Sequence, residues 1–510
     1  MDYSCAVDFE KRKIALLGAP GLCRQFYLQF CRVLDIKYVF TTSMDHGEFL
    51  ADEFLRDQQE IACMPLKESL IRGQKVLLVL CAEHALRKPY DELLYLKGLE
   101  WGDFYIDYGY VLHNYRRRYG TDLTEKNIWI FGAGNNGRTF YETHKDTCQI
   151  QGFLSNYEEE KEYLGLPVIR PSEVLKQENL YIVICSDADA VMSEQLLELG
   201  LAGDRDFCLA GMIPRRLFIA MGTCQVIKVS ETLNRNQAFS SRYCMDLYFD
   251  NLYEPCSHAD DRRKKAYGEY CEVVFYNIAN AGSEEFRDYG PIIGRFYQKA
   301  LQIFQPFYYF RGQHPQATDH INPYAIRLKE GGWLWFRGDQ EINRMLENHI
   351  PAEEIPDRVL RDDYWTEQEV LENFERELKK VAVLDRFSSF PIRPFIEENY
   401  QKITVFLDGT HFSIHLCLYL ADKIAEYLEV MSSDSGEAKD GTEYAGTSVM
   451  PVYPCVRKAL GMRAAGSSQF YNIESGAVEY TDTKGHIERY IKYAVRIREI
   501  REKYGTYMAW

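Results

Sequence analysis

Apolar runs of five or six residues, each closed by a glycine or small-residue turn and followed by mixed sequence, punctuate the first half of the chain. Unbroken apolar runs of that length predict strands buried on both faces, as in a parallel sheet flanked by helices. The runs also repeat. Ile14-Ala15-Leu16-Leu17-Gly18-Ala19-Pro20-Gly21 is echoed by Ile128-Trp129-Ile130-Phe131-Gly132-Ala133-Gly134, Val76–Cys81 by Leu180–Cys185, and Gly98–Phe104 by Gly200–Phe207. Because the echoes keep their order, the pattern predicts two tandem modules, residues 1–115 and 116–212, each built of strand, glycine turn, helix and further α/β units.

Beyond residue 212 the texture changes, becoming richer in aromatics and less repetitive. Leu217–Met221 predicts a buried strand that stops at Gly222-Thr223-Cys224, with Val226–Leu233 opening a helix. Val273–Tyr276 and Ile403–Leu407 read as a second and a third strand. Between them Thr366-Glu367-Gln368-Glu369 reads as a capping box ahead of a helix with Val370, Leu371, Phe374, Leu378 and Val381 on its apolar face. Ser432–Ser448, rich in Ser, Gly, Asp and Glu, reads as a loop. The expected fold class is α/β: two tandem Rossmann-like modules followed by a larger α/β domain, residues 213–510, with a parallel sheet.

Composition narrows the function classes. A chain of 510 residues exceeds the ~100–200 residues of one domain, so about three units fit it. The formal net charge of -16 argues against nucleic acid and anionic membrane surfaces as partners, since both need clustered basic charge. The 14 cysteines show no CxxC pair or regular spacing and read as reduced core residues. Val76–Ala82 is the longest apolar run, too short to span a bilayer, and Met1–Lys13 has no signal-peptide character. The expectation is a cytoplasmic protein without membrane insertion, compatible with a homo-oligomer.

Three glycines of the second module, Gly132, Gly134 and Gly137, form a full GxGxxG between a strand and a helix. That arrangement lets a phosphate-bearing ligand approach the amides of a helix N-terminus. The acidic residue that would hold a ribose diol is missing, because the strand ending at Leu154 runs into Ser155-Asn156. NAD is therefore expected to bind weakly or not at all. A nucleotide or nucleotide-sugar at the loop, and a tight turn serving only helix–strand packing, both stay open. In the first module Pro20 removes a donor from the loop. With Gly165-Leu166-Pro167-Val168 and Pro171-Ser172-Glu173, the second module resembles small Rossmann-like domains attached to capsule, glycan and sugar-modifying enzymes.

Cys224 and His411 carry the sharpest chemistry. Both are expected where a strand hands over to a helix, His411 within Asp408-Gly409-Thr410-His411. If the strands are neighbours in one parallel sheet, both side chains emerge at its C-terminal edge, where ligands of open α/β sheets bind. A thiol at a helix N-terminus is readily activated, and a cysteine with a histidine is what nucleophilic acyl transfer needs. The bland alternatives are a packing cysteine and a capping histidine. Zinc held by His411 and His415 is disfavoured, since Phe412 stands where the HExxH pattern has Glu. Asp385 is a candidate to orient His411. Arg311-Gly312-Gln313-His314-Pro315 reads either as a phosphate- or sugar-facing cation and imidazole or as a surface loop. Trp333, Trp335, Arg337 and Asp339 read as a sugar platform or as core. Arg457 reads as a phosphate contact or a solvated cation.

The Gly222–Gln225 turn, the Asp385–Phe395 segment, the His411 junction and Met450-Pro451-Val452-Tyr453-Pro454 resemble the WcbI-type capsular polysaccharide biosynthesis proteins, over about residues 214–510. The chain departs from that pattern at Thr223, where the family has Asn, and at Phe412, where it has Pro. The resemblance implies coenzyme A or acetyl-CoA binding, with Gly222, Thr223, Gln225, Arg311 and Arg457 as contacts, and acetyl transfer to a sugar or nucleotide-sugar of a capsule. On that reading Cys224, His411 and Asp385 are catalytic. An ester hydrolase on an acylated sugar and a non-catalytic nucleotide-sugar-binding scaffold are the alternatives.

Overall fold

The computed structural model describes residues 9, 11–42, 61–82, 87–119, 123–157, 161–249, 261–277, 290–318, 322–324, 326–327, 333–334, 338–430, 449–463, 468–472 and 477–504. Trp335, Arg337 and Ser432–Ser448 lie outside them.

Three sheets carry the architecture. The first comprises β1 (Ile14–Gly18), β2 (Ile36–Thr41), β3 (Ala62–Pro65), β4 (Leu77–Cys81) and β5 (Tyr105–Asp107), all parallel in the order β3-β2-β1-β4-β5. The second comprises β6 (Asn127–Phe131), β7 (Gln149–Leu154), β8 (Glu162–Tyr163), β9 (Leu166–Ile169), β10 (Leu180–Ile184) and β11 (Phe207–Leu209), in the order β11-β10-β6-β7-β9-β8 with only β8 antiparallel. The third places β12 (Arg216–Gly222), β13 (Tyr243–Phe249), β14 (Cys271–Tyr276) and β15 (Leu301–Phe304) in the parallel order β13-β12-β14-β15. The two tandem modules and the third parallel sheet are therefore present.

The internal repeat has a physical basis at its glycines. Gly18 and Gly132 both adopt positive φ, +133° and +126°, and a Cβ on either would lie 2.3 Å from the Cys81 carbonyl oxygen or 2.6 Å from that of Cys185. Each glycine ends its module's first strand against the end of the neighbouring strand, where no L side chain fits.

Polar side chains join the units. Gln29 of the helix Pro20–Phe30 accepts the Leu209 amide at 3.1 Å, and Arg24 pairs with Asp189 at 3.2 Å, docking the first module on the second. Thr143 reaches Ser241 at 2.9 Å and Gln237 reaches Thr139 at 2.8 Å, docking the second module on the third unit. Arg87, Asp91 and Asp107 of the first module meet Asp246 on β13 and Arg263 and Tyr267 of the helix Asp261–Gly268 in a buried ionic cluster.

One predicted strand does not form. Ile403–Leu407 pairs with no sheet strand; it folds back on itself, with an isolated antiparallel bridge between Phe406 and Phe412 and the Leu407 amide donating to His411 O at 2.8 Å. Val405, Phe406 and Leu407 are buried as a strand's would be, but the Val405 amide is satisfied by Gln313 Oε1 at 2.7 Å instead of by a neighbouring strand. The capped helix is present as Glu367–Asp385, with Thr366 and Glu369 closing the capping box, and Ser413 caps the helix Ile414–Tyr427.

Candidate active site

Strand β12 delivers Cys224 as the first residue of the helix Cys224–Asn234, with Thr223 as its N-cap in an extended conformation. The turn is held from the next strand. Asn277, fully buried just beyond β14, accepts the Thr223 N–H on Oδ1 at 3.0 Å and donates from Nδ2 to Thr223 Oγ1 at 2.8 Å. Gly222 is required for this approach, because a Cβ there would sit 2.2 Å from Asn277 Oδ1. Cys224 is half-buried. The amides of the helix's first turn have no intrahelical acceptor.

His411 arrives on a loop, not on a strand. Gly409, at φ +90°, lets that loop pass over Arg311 Cγ. Asp408 then organises the turn: Oδ1 accepts the amides of Thr410 and His411 at 3.0 and 2.9 Å, and Oδ2 takes His411 Nδ1 at 2.8 Å. Nδ1 is committed to Asp408, and Cys224 also acts on the ring. Burial works against a charge on the ring, but the Asp408 carboxylate and then Cys224 override it and raise the His411 pKa well above the ordinary imidazole value. Asp408 goes the other way: burial raises it, and the stronger combined pull of His411 and the loop amides holds it far below the usual carboxylate range. The His411 side chain keeps 29% of its surface exposed, against 11% for Asp408, so the ring is reachable while its orienting carboxylate is shielded.

This geometry revises two roles. Asp385 does not orient His411; its carboxylate accepts the Tyr308 hydroxyl at 2.6 Å and the Ile392 and Arg393 amides at 3.1 and 2.9 Å, closing the turn after its own helix. Asp408 holds the position. A carboxylate three residues before a histidine, with a glycine between them, can cap its own turn and reach the ring, and that spacing was the available signal. Gln225 faces inward, 2% exposed, with Nε2 donating to Thr410 O and Tyr308 O and Oε1 accepting the Tyr308 amide. Both N–H donors of its side-chain amide are engaged in this way.

The remaining candidates sit as follows in the fold. Arg311 donates to Ala317 O at 3.2 Å. Arg457 stands half-buried in the last turn of the helix Pro454–Leu460, and no hydrogen bond or ion pair among the described residues joins it to Cys224, His411 or Asp408. The Arg311–Pro315 segment is not a surface loop: Gln313 and His314 are fully buried, and His314 Nε2 lies 2.8 Å from Phe406 O. Burial lowers the His314 pKa to about 4, so that ring is neutral and braces the segment leading to Asp408. Asp339 caps the helix Gln340–Glu347 and receives the Tyr453 hydroxyl, which is a core role. In the second module Gly137 packs so closely that a Cβ would lie 1.9 Å from Gly132 O, whereas one on Gly134 would meet nothing within 4 Å.

Among the described residues no group of three or more His, Cys, Asp or Glu is placed to hold a metal ion, and no helix is long and apolar enough to cross a membrane. No protein-family profile matches the chain, and no curated protein does. Among solved structures, WcbI, described as a novel polysaccharide biosynthesis enzyme and in that crystal as the native protein without a disulfide between coenzyme A and one of its cysteines, is similar at 12% identity and a TM-score of 0.41, over 57% of this chain and 96% of its own. At that level the likeness assigns no activity.

Proposed function

We propose that the chain is a cysteine-dependent acyltransferase that moves an acyl group, acetyl in the simplest case, from a coenzyme A thioester to a hydroxyl of a surface-polysaccharide sugar. The observation that carries the chemistry is the relay Asp408–His411–Cys224 at a helix N-terminus. The sequence resemblance supports the choice of donor and acceptor. The site's donor set fits a thioester carbonyl.

In this mechanism the proton between Cys224 and His411 lies on the ring when Cys224 Sγ attacks the thioester carbonyl, while the amides of the helix's first turn stabilise the oxyanion. The carbon–sulfur bond to the leaving thiol breaks, and His411 returns the proton to that sulfur. His411 then takes the proton of the incoming sugar hydroxyl, whose oxygen attacks the acyl-cysteine and releases Cys224. Asp408 keeps the ring oriented throughout. A nucleotide or nucleotide-sugar at the open face of Gly134 is the proposed role of the second module.

Intact mass after incubation with acetyl-CoA tests this. An added acetyl group on the wild type, absent from Cys224→Ala, is expected, and His411→Ala should lower the transfer rate on the order of 10²–10⁴-fold. Unimpaired transfer by both variants would remove the site. Acetate release without an acceptor would convert the reading to a hydrolase, and the absence of any acylation despite acetyl-CoA binding would leave a scaffold.

A further inference from the structure

Because the His411 loop belongs to no sheet, no strand ladder sets its distance from Cys224. Something else must. Gln225 follows Cys224 in sequence, and Thr410 precedes His411. The Gln225 Nε2 donates to Thr410 O at 2.6 Å and to Tyr308 O at 2.8 Å, while its Oε1 accepts the Tyr308 amide at 3.0 Å. One planar amide thus ties the Cys224 helix to the His411 loop and to the aromatic segment Phe307–Phe310, whose last amide donates to Gly409 O at 2.9 Å.

We propose that Gln225 is a positioning residue that sets the separation of Cys224 and His411, and that it does not contact substrate. The inference rests on the pair's proposed role in acyl transfer, yet it concerns only how the pair is held. The residue type follows from the pattern. Two carbonyls and one amide demand two N–H donors and one acceptor on a single side chain, which Gln supplies. Glu would turn an oxygen toward both carbonyls, and Asn, one methylene shorter, cannot reach all three partners.

The test is a histidine-ring NMR titration of the full-length protein, with the His411 signal assigned by its loss in His411→Ala. The groups bearing on that ring are Asp408 and Cys224, with Thr410 Oγ1 at 3.4 Å from Nδ1. Gln225→Met, matched in length but unable to bond, should lower the His411 titration as the Cys224 interaction is lost. On a Cys224→Ala background the same substitution should produce no further shift. Gln225→Asn serves as a milder variant read in the same way should the Met variant not fold. A lowered melting temperature with an unmoved His411 titration, or an equal shift that persists without Cys224, would overturn the proposal. Because no substrate enters the measurement, a failed acylation experiment and a failed positioning role are told apart.

Discussion

Arg87→Met should loosen the seam between the first module and the sheet that delivers Cys224. The Arg87 guanidinium is the cation beside Asp246, whose side chain is wholly buried on β13 directly opposite Ile219 of β12. Arg87 also donates to Tyr267 Oη at 2.9 Å and lies 3.1 Å from Asp91. Removing it does not strand those partners, because Arg263 still reaches Asp91 at 3.0 Å and Asp107 at 3.1 Å. Asp246 loses this counter-charge. Breaking a buried ion pair from one side costs about 3–5 kcal/mol, because the remaining charge keeps its desolvation penalty without its counter-charge. Replacing both partners by apolar groups is far milder, so Arg87→Met/Asp246→Leu should recover most of the loss. Urea unfolding followed by circular dichroism would show this. The first transition of Arg87→Met should fall by about 1 M urea or more for a slope of a few kcal/mol per molar, and the double variant should move back toward wild type. A shift in Arg87→Met under about 0.3 M, or a double variant as unstable as the sum of the two singles, would refute the reasoning.

Other outcomes follow from the same geometry. Asp408→Asn should lower the His411 pKa in an NMR titration. The stability that Asp408 and His411 give each other should be full between the unfolded carboxylate value near ~3.9 and the unfolded imidazole value near ~6.5, fading as pH falls below the first or rises from the second toward the raised His411 pKa, as the difference in urea midpoint between variant and wild type across pH would show. Asp339, pushed up to about 7 by burial against the pull of Tyr453 and the Ile342 amide, keeps a proton in the folded state that the unfolded chain loses near ~3.9. Wild-type stability relative to Asp339→Asn should therefore fall as pH rises between those values, by up to ~1.4 kcal/mol per pH unit, read from urea midpoints. Gly137→Ala, whose methyl would meet Gly132 O at 1.9 Å, should destabilise the second module in a thermal melt far more than Gly134→Ala, which faces open space and loses only the glycine preference at that helix N-cap.

Much of the fold was legible because parallel strands buried on both faces leave an unbroken apolar run, and turns pressed against a neighbouring carbonyl demand glycine. Hence the two modules, β12, β14, the capped helix after Thr366 and the placement of Cys224 at a helix N-terminus could be read from the chain. Ile403–Leu407 misled for the same reason. Burial makes a segment apolar whether its amides bond to a strand or to Gln313, and only the tertiary structure distinguishes the two. The orienting carboxylate, the inward turn of Gln225 and the brace from Asn277 were likewise hidden. Each is a hydrogen bond between residues that no periodicity links: Gln225 with Thr410 across 185 positions, Asn277 with Thr223 across 54. Local sequence thus determined which residue types stood at the turns, since backbone sterics and burial act over a few residues. Which turns meet, and so which groups share a proton, was decided by long-range packing of three sheets and the loops laced between them.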